Sequence, residues 1–167
     1  MRVSCPGIVD GEFAGRFGSG GTVFVNTMPG LSPPLEIADA PEGTVTFALV
    51  MDDYDAIPVC GFNWIHWTAC DIRSTSIPEG ASHNDPGFTE GCNSWCSALD
   101  ELTVEEATGY GGPAPPDRPH RYTLTVYALD TELGLERGFR LNELRFAMEG
   151  HVLAQSTVIG TYRPSGQ

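Results

Sequence analysis

Basic residues are scarce in this chain: nine stand against 22 acidic ones over 167 residues, a formal net charge of −13. That shortage argues against a nucleic-acid partner and against docking on anionic membranes, since both need a cationic face. It also limits how an anion could be held. The long-range field repels one, so only a local set of donors can bind it. Long apolar runs are missing too. No stretch approaches the roughly 20 apolar residues of a membrane span, so stable membrane insertion is not expected. The opening MRVSCPGIVDGEF has no apolar signal region, which points to the cytoplasm. The five cysteines are an odd number, so at least one lacks an intrachain partner, and reduced thiols are expected. Cys92 and Cys96 lie in CNSWC, but no second ligand pair of the CxxC or HxxxH kind is near, and His83 would add only a third zinc ligand. No metal and no cofactor are therefore expected. A redox pair and ordinary small residues both stay open for the two cysteines.

What is present suits short strands joined by loops. With 41% hydrophobic residues, 20 glycines and 13 prolines, residues 1–167 read as a single domain, mainly β, with many turns. TVFVNT (22–27) is a short candidate strand. TVTFALVM (44–51) reads as a central strand buried on both faces. NWIHWTACDI (63–72) alternates, which sets Ile65, Trp67 and Ala69 on one face and Trp64, His66, Thr68 and Cys70 on the other. RYTLTVYALD (121–130) places Tyr122, Leu124, Val126 and Ala128 together, and STVIGTYR (156–163) is the last strand. Helical signals are few. Thr103 and Glu106 form a capping box before a short helix ending near Gly109, and 142–154 reads as one broken helix or two short ones.

Three segments put polar residues where strand ends meet turns. In MDDYDAIP (51–58), Asp52, Asp53 and Asp55 crowd a strand end, where turn capping is the plain alternative to a functional role. In WIHW (64–67), His66 sits between aromatics, and a satisfied core histidine is the plain alternative. In GYGGPAPPDRPHRYTL (109–124), paired glycines free the backbone to bend. His120 and Tyr122 then open a strand two apart on one face, a combination that could bind an oxyanion.

Together with AMEGHVLAQSTVIGTYR, these segments resemble the phosphatidylethanolamine-binding protein family, and more narrowly its bacterial Raf-kinase-inhibitor-like branch, from about Leu31 to Arg163. The resemblance implies a β-sandwich with a large central antiparallel sheet, a few short covering helices and a small anion pocket. It implies that Asp53 and Asp55 match the family's acidic pair, His66 its pocket histidine, and His120, Arg121 and Tyr122 its His-Arg-Tyr triplet. Ala114, Pro115 and Pro116 match the loop whose N–H contacts the anion. Departures fall at Tyr54, which could narrow the pocket mouth, and at Ile57-Pro58, where a cis peptide is expected. Residues 83–108 should form a lid or edge. Bacterial relatives also suggest a homodimer, and nothing matches the basic loop of kinase-binding members, so Raf inhibition is not implied. The expected function is a binding protein for a small anionic or phosphorylated ligand such as phosphate or phosphoethanolamine, without naming the natural one. An enzyme using Asp53, His66 and His120 for acid–base chemistry is the alternative, and a partner-binding role for 83–108 a third reading.

Overall fold

The apolar run after Gly43 forms the strand from which the rest of the fold is built. A computed structural model describes residues 1–84, 86–99 and 102–163. Its strands, in chain order, are β1 (Arg2–Ser4), β2 (Ile8–Val9), β3 (Glu12–Phe13), β4 (Phe24–Val25), β5 (Met28–Pro29), β6 (Leu35–Ala38), β7 (Thr46–Asp53), β8 (Trp64–Ile72), β9 (Ser76–Ile77), β10 (Thr89–Glu90), β11 (His120–Leu129) and β12 (Val152–Tyr162). Two α-helices, α1 (Ile57–Cys60) and α2 (Leu141–Ala147), are short.

Seven strands form one sheet in the order β10-β8-β7-β11-β12-β3-β2. The pairs are antiparallel except β12 with β3, so the expected antiparallel sheet is mixed at one edge. A second sheet, β1-β6-β9, lays Leu35, Ile37 and Ile77 against Phe47, Leu49, Leu124 and Val126. On the other face of the large sheet, Ala48, Val50 and Leu129 pack with Phe139, Leu144 and Met148, Leu144 lying on α2. Every residue of β7 is buried, as its unbroken apolar run implied. Each large aliphatic side chain removed from water in this way stabilises the fold by about 1.5–3 kcal/mol.

Elsewhere the local signals yield to context. Residues 22–27 do not make one strand but begin the β4–β5 hairpin. Glu106 accepts from both the N–H and the hydroxyl of Thr103, yet turns follow instead of a helix. The segment is too short to nucleate one, and Thr108 is already bridged to Cys92. Helix α2 stops before Gly150, whose φ is +80°, and β12 begins at Val152, earlier than expected.

The two faces assigned to β8 also need correction. Met51 pairs with Trp67, Asp52 with Ile65 and Asp53 with Trp64, while Leu49 pairs with Ala69. One step on β7 thus spans two on β8, and His66 is the extra residue of a β-bulge. Trp64 and Trp67 consequently lie on the same side although they are three positions apart.

Candidate functional site

Asp53 ends β7 and is fixed twice. One carboxylate oxygen accepts from the Ala56 N–H at 3.2 Å, capping the 3-10 turn Tyr54–Ala56 that leads into α1. The other lies 2.7 Å from Nδ1 of His120, the first residue of β11. Turn capping and a site role therefore coexist in one side chain. The far ring nitrogen, Nε2, lies 2.8 Å from Asp117 Oδ1. Side-chain exposure is 1% for His120, 4% for Asp53 and 49% for Asp117. A carboxylate–imidazole–carboxylate row thus runs from the interior to the surface. The two carboxylates occupy both nitrogens of the His120 ring. Burial pushes the Asp53 carboxyl up, opposed by its bond to His120 and by that ring's charge. Asp117 is held down, chiefly by the same ring.

His66 is a different kind of histidine. Burial depresses it to about 4, with a further lowering from His120, although the Gly111 carbonyl at its Nδ1 works the other way. It is therefore neutral at physiological pH. The contact with the carbonyl assigns the proton to Nδ1 and leaves Nε2 as an acceptor. The paired glycines behind it serve close approach rather than bending. A Cβ on Gly111 would lie 2.6 Å from the Trp95 ring, and one on Gly112 2.1 Å from the Phe17 carbonyl oxygen.

Tyr122 follows His120 on the same face of β11 and is fully buried. Its hydroxyl and the Trp64 Nε1–H have no hydrogen-bond partner among the described residues. Burial first, and then the Asp53 charge, push the Tyr122 phenol far up, so it is protonated and available to donate. The Trp64 and Trp95 rings meet edge to face at 5.2 Å, Trp95 also meets His66 at 5.4 Å, and Phe62 stacks on Trp64 at 5.7 Å.

These groups surround a cavity of about 330 Å³ lined by Asp53, Trp64, His66, Trp95, His120 and Tyr122, with the Ala114–Pro116 stretch, Val59, Cys60 and Leu99 completing its wall. Its size sits at the low end of small-molecule sites, about 300–1,000 Å³. No arginine lines it, and the nine basic residues are all arginine. Among the described residues, no three His, Cys, Asp or Glu side chains converge to hold a metal.

Of the expected site residues, the structure gathers Asp53, His66, Ala114, Pro115, His120 and Tyr122 and leaves Asp55 outside. Asp55 instead accepts from the Arg121 N–H at 2.9 Å and from Arg118 at 3.1 Å, tying the turn to β11 and the loop before it. Tyr54 is exposed and does not line the mouth; its hydroxyl bonds Asp52 on the other side of β7. No cis peptide occurs among the described residues, so Ile57-Pro58 is trans, with Pro58 in the first turn of α1, where its fixed φ suits a helix. The 83–108 segment supplies the edge strand β10 and, through Trp95 and Leu99, part of the cavity wall; Asp85, Asp100 and Glu101 lie outside the described residues. Three residues escaped the sequence reading. Trp64 and Trp95 were visible only as neighbours of His66 and of two cysteines, and Asp117 only by its three-residue spacing from His120.

The sequence pattern of the phosphatidylethanolamine-binding protein family matches residues 8–163. An uncharacterized Bacillus subtilis (strain 168) protein, YxkA, is 47% identical over 137 residues, covering 78% of this chain and 80% of its own. A Methanothermobacter thermautotrophicus protein of the UPF0098 group is 38% identical over 138 residues, covering 80% of this chain and 83% of its own. A crystal structure described as a phosphatidylethanolamine-binding protein homolog from Chlamydia trachomatis superposes with a TM-score of 0.80 at 28% identity, over 98% of this chain and 97% of that one. Escherichia coli YbcL, described as a new member of the mammalian family, gives 0.77 at 25% identity, over 97% of each chain. Fold, motif order and sequence agree: this chain belongs to the phosphatidylethanolamine-binding protein family.

Proposed function

We propose that the chain binds a small anionic or phosphorylated ligand, of the phosphate or phosphoethanolamine kind, in the cavity between Asp53, His66, His120 and Tyr122. The observation that carries this reading is the pair of donors without partners among the described residues, the Tyr122 hydroxyl and the Trp64 Nε1–H, both on residues that line the cavity. A buried donor left unpaired costs about 1–3 kcal/mol, and an oxyanion accepting from both would remove that cost. The Ala114 N–H, the N–H of its loop that prolines cannot supply, is a third candidate donor. His66 serves as a neutral acceptor rather than as a cation, and Asp53 is placed to accept from a protonated ligand oxygen or an ammonium group. We further place the protein in the cytoplasm as a homodimer, which fractionation and light scattering check.

Titration with inorganic phosphate and with phosphoethanolamine, followed by calorimetry and by histidine ring NMR, tests the reading. Saturable binding that perturbs His66 and His120 supports it. Unshifted ring signals at tens of millimolar ligand, a range in which even a weak site of millimolar Kd fills, would sink it. Turnover of a phosphomonoester that disappears in Asp53→Ala would instead favour the acid–base reading.

A further inference from the structure

CNSWC has no role in the reading above beyond its tryptophan. The five cysteines are all free thiols. Cys92 is buried in the bridge to Thr108, while Cys96 is partly exposed. Between them the chain doubles back. The Cys96 N–H donates to the Asn93 carbonyl at 3.3 Å, and the Trp95 N–H donates to the Asn93 side chain at 3.0 Å. The Cys92 thiol also leans on the Asn93 carbonyl, at 3.4 Å. With both cysteines held on the Asn93 carbonyl, the turn sets the Cys96 side chain beside that of Cys92. On the outer side, Arg140 Nη2 approaches the Cys96 sulfur at 3.9 Å, where it offsets negative charge on that atom.

We infer that Cys92 and Cys96 are a peroxide-responsive thiol pair that closes to a disulfide within the turn and thereby moves Trp95 in the cavity wall. This goes beyond the ligand-binding reading and does not depend on it. Cys96, the more exposed thiol, attacks first. As the thiolate it displaces hydroxide from hydrogen peroxide, the O–O bond breaks, and sulfenic acid forms on Cys96. The Cys92 sulfur then attacks the Cys96 sulfur, the S–O bond breaks and water leaves. In sum two thiols lose two electrons and two protons, and one peroxide becomes two waters. Burial and the adjacent Cys96 push the Cys92 thiol up to about 12, so Cys92 is not the thiol that meets peroxide first. A bridge of about 2.05 Å between the sulfurs must tighten the turn that carries Trp95. Trp95 rests on Gly111, so close that a Cβ there would lie 2.6 Å from its ring, and the Gly111 carbonyl positions His66. Exposed or strained disulfides belong to the readily reduced class that serves switching rather than structure, and Cys96 is partly exposed.

The test uses the full chain carrying Cys60→Ser, because Cys60 is also partly exposed. The five cysteines less Cys60 leave four thiols. After hydrogen peroxide treatment, thiol titration in denaturant should fall from four to two. The monomer should lose about 2 Da by intact mass, and dithiothreitol should restore both values. Adding Cys96→Ser should abolish the mass loss. Tryptophan emission should change on oxidation and recover on reduction, and that change should vanish with Trp95→Phe. A count that stays at four, oxygen addition in place of the 2 Da loss, or loss of thiols into disulfide-linked dimers would overturn the pair. Disulfide formation with unchanged emission would overturn its effect on Trp95.

Discussion

Nδ1 of His120 lies 2.7 Å from Asp53 Oδ2, and neither side chain exposes more than 4% of its surface. The contact joins the end of β7 to the start of β11, two strands paired in the same sheet. It therefore holds the floor of the cavity as well as giving it charge. A buried carboxylate that lost the imidazole would be strongly disfavoured, so the pair acts as a unit whose members cannot be varied independently.

Removing Asp53 should show this. Asp53→Ala deletes the cap on Ala56 and one of the two acceptors of His120, and should cost about 3 kcal/mol of stability, in the range for breaking a buried pair. Urea unfolding measures it, and a loss below about 0.5 kcal/mol, the surface-substitution range, would contradict the structural role.

Stability should also fall on the acid side through His66. Its folded value of about 4 lies below the ordinary value of 6.5, so the unfolded chain takes up the proton first. The contribution is complete above pH 6.5 and is lost as pH drops towards 4, by an amount on the order of 3 kcal/mol. Asp53 and Asp52, both raised by burial from 3.8, act in the opposite sense from pH 3.8 upward, against the low end of this window. The comparison with His66→Gln isolates the histidine. If the variant's acid limb between pH 6.5 and 4 were as steep as that of the unsubstituted chain, the assignment would be wrong.

Tyr122→Phe should separate binding from folding. The hydroxyl has no partner among the described residues, so its removal should leave stability unchanged or raise it by about 1 kcal/mol. Phosphate binding, in contrast, should weaken roughly tenfold, the value of one hydrogen bond to a charged group. Thermal melts and calorimetry on the same sample decide it.

Gly111→Ala puts a methyl 2.6 Å from the Trp95 ring. It should cost about 1–3 kcal/mol by overpacking and shift tryptophan emission, since either the ring or the Gly111 backbone must give way. A variant as stable as the unsubstituted chain, with the same emission, would show that the wall is looser than described.

Much of this arrangement is legible in residue order. The unbroken apolar run of β7, the alternation of β11 and the pairing of His120 with Tyr122 by strand period all hold locally. What escapes reading depends on the neighbour. The β8 bulge exists only in the register between two strands, so alternation along one of them put Trp67 and His66 on opposite faces. Asp55 looked equivalent to Asp53 by proximity, yet the 3-10 turn between them directs it towards Arg118 and Arg121. The helix expected after Thr103 had its cap but not its length. Trp95 reaches the cavity only because a turn held by Asn93 folds it inward.

The bulge at His66 also bears on how such a chain can change over generations. Four positions of β8, from Trp64 to Trp67, stand opposite three of β7, from Asp53 to Met51. Exchanging a side chain inside that span alters the wall, but adding or losing a single residue would change the parity of everything beyond it. Substitution is open to this strand, whereas insertion and deletion are closed to it. The distance between the two tryptophans is inherited as a length.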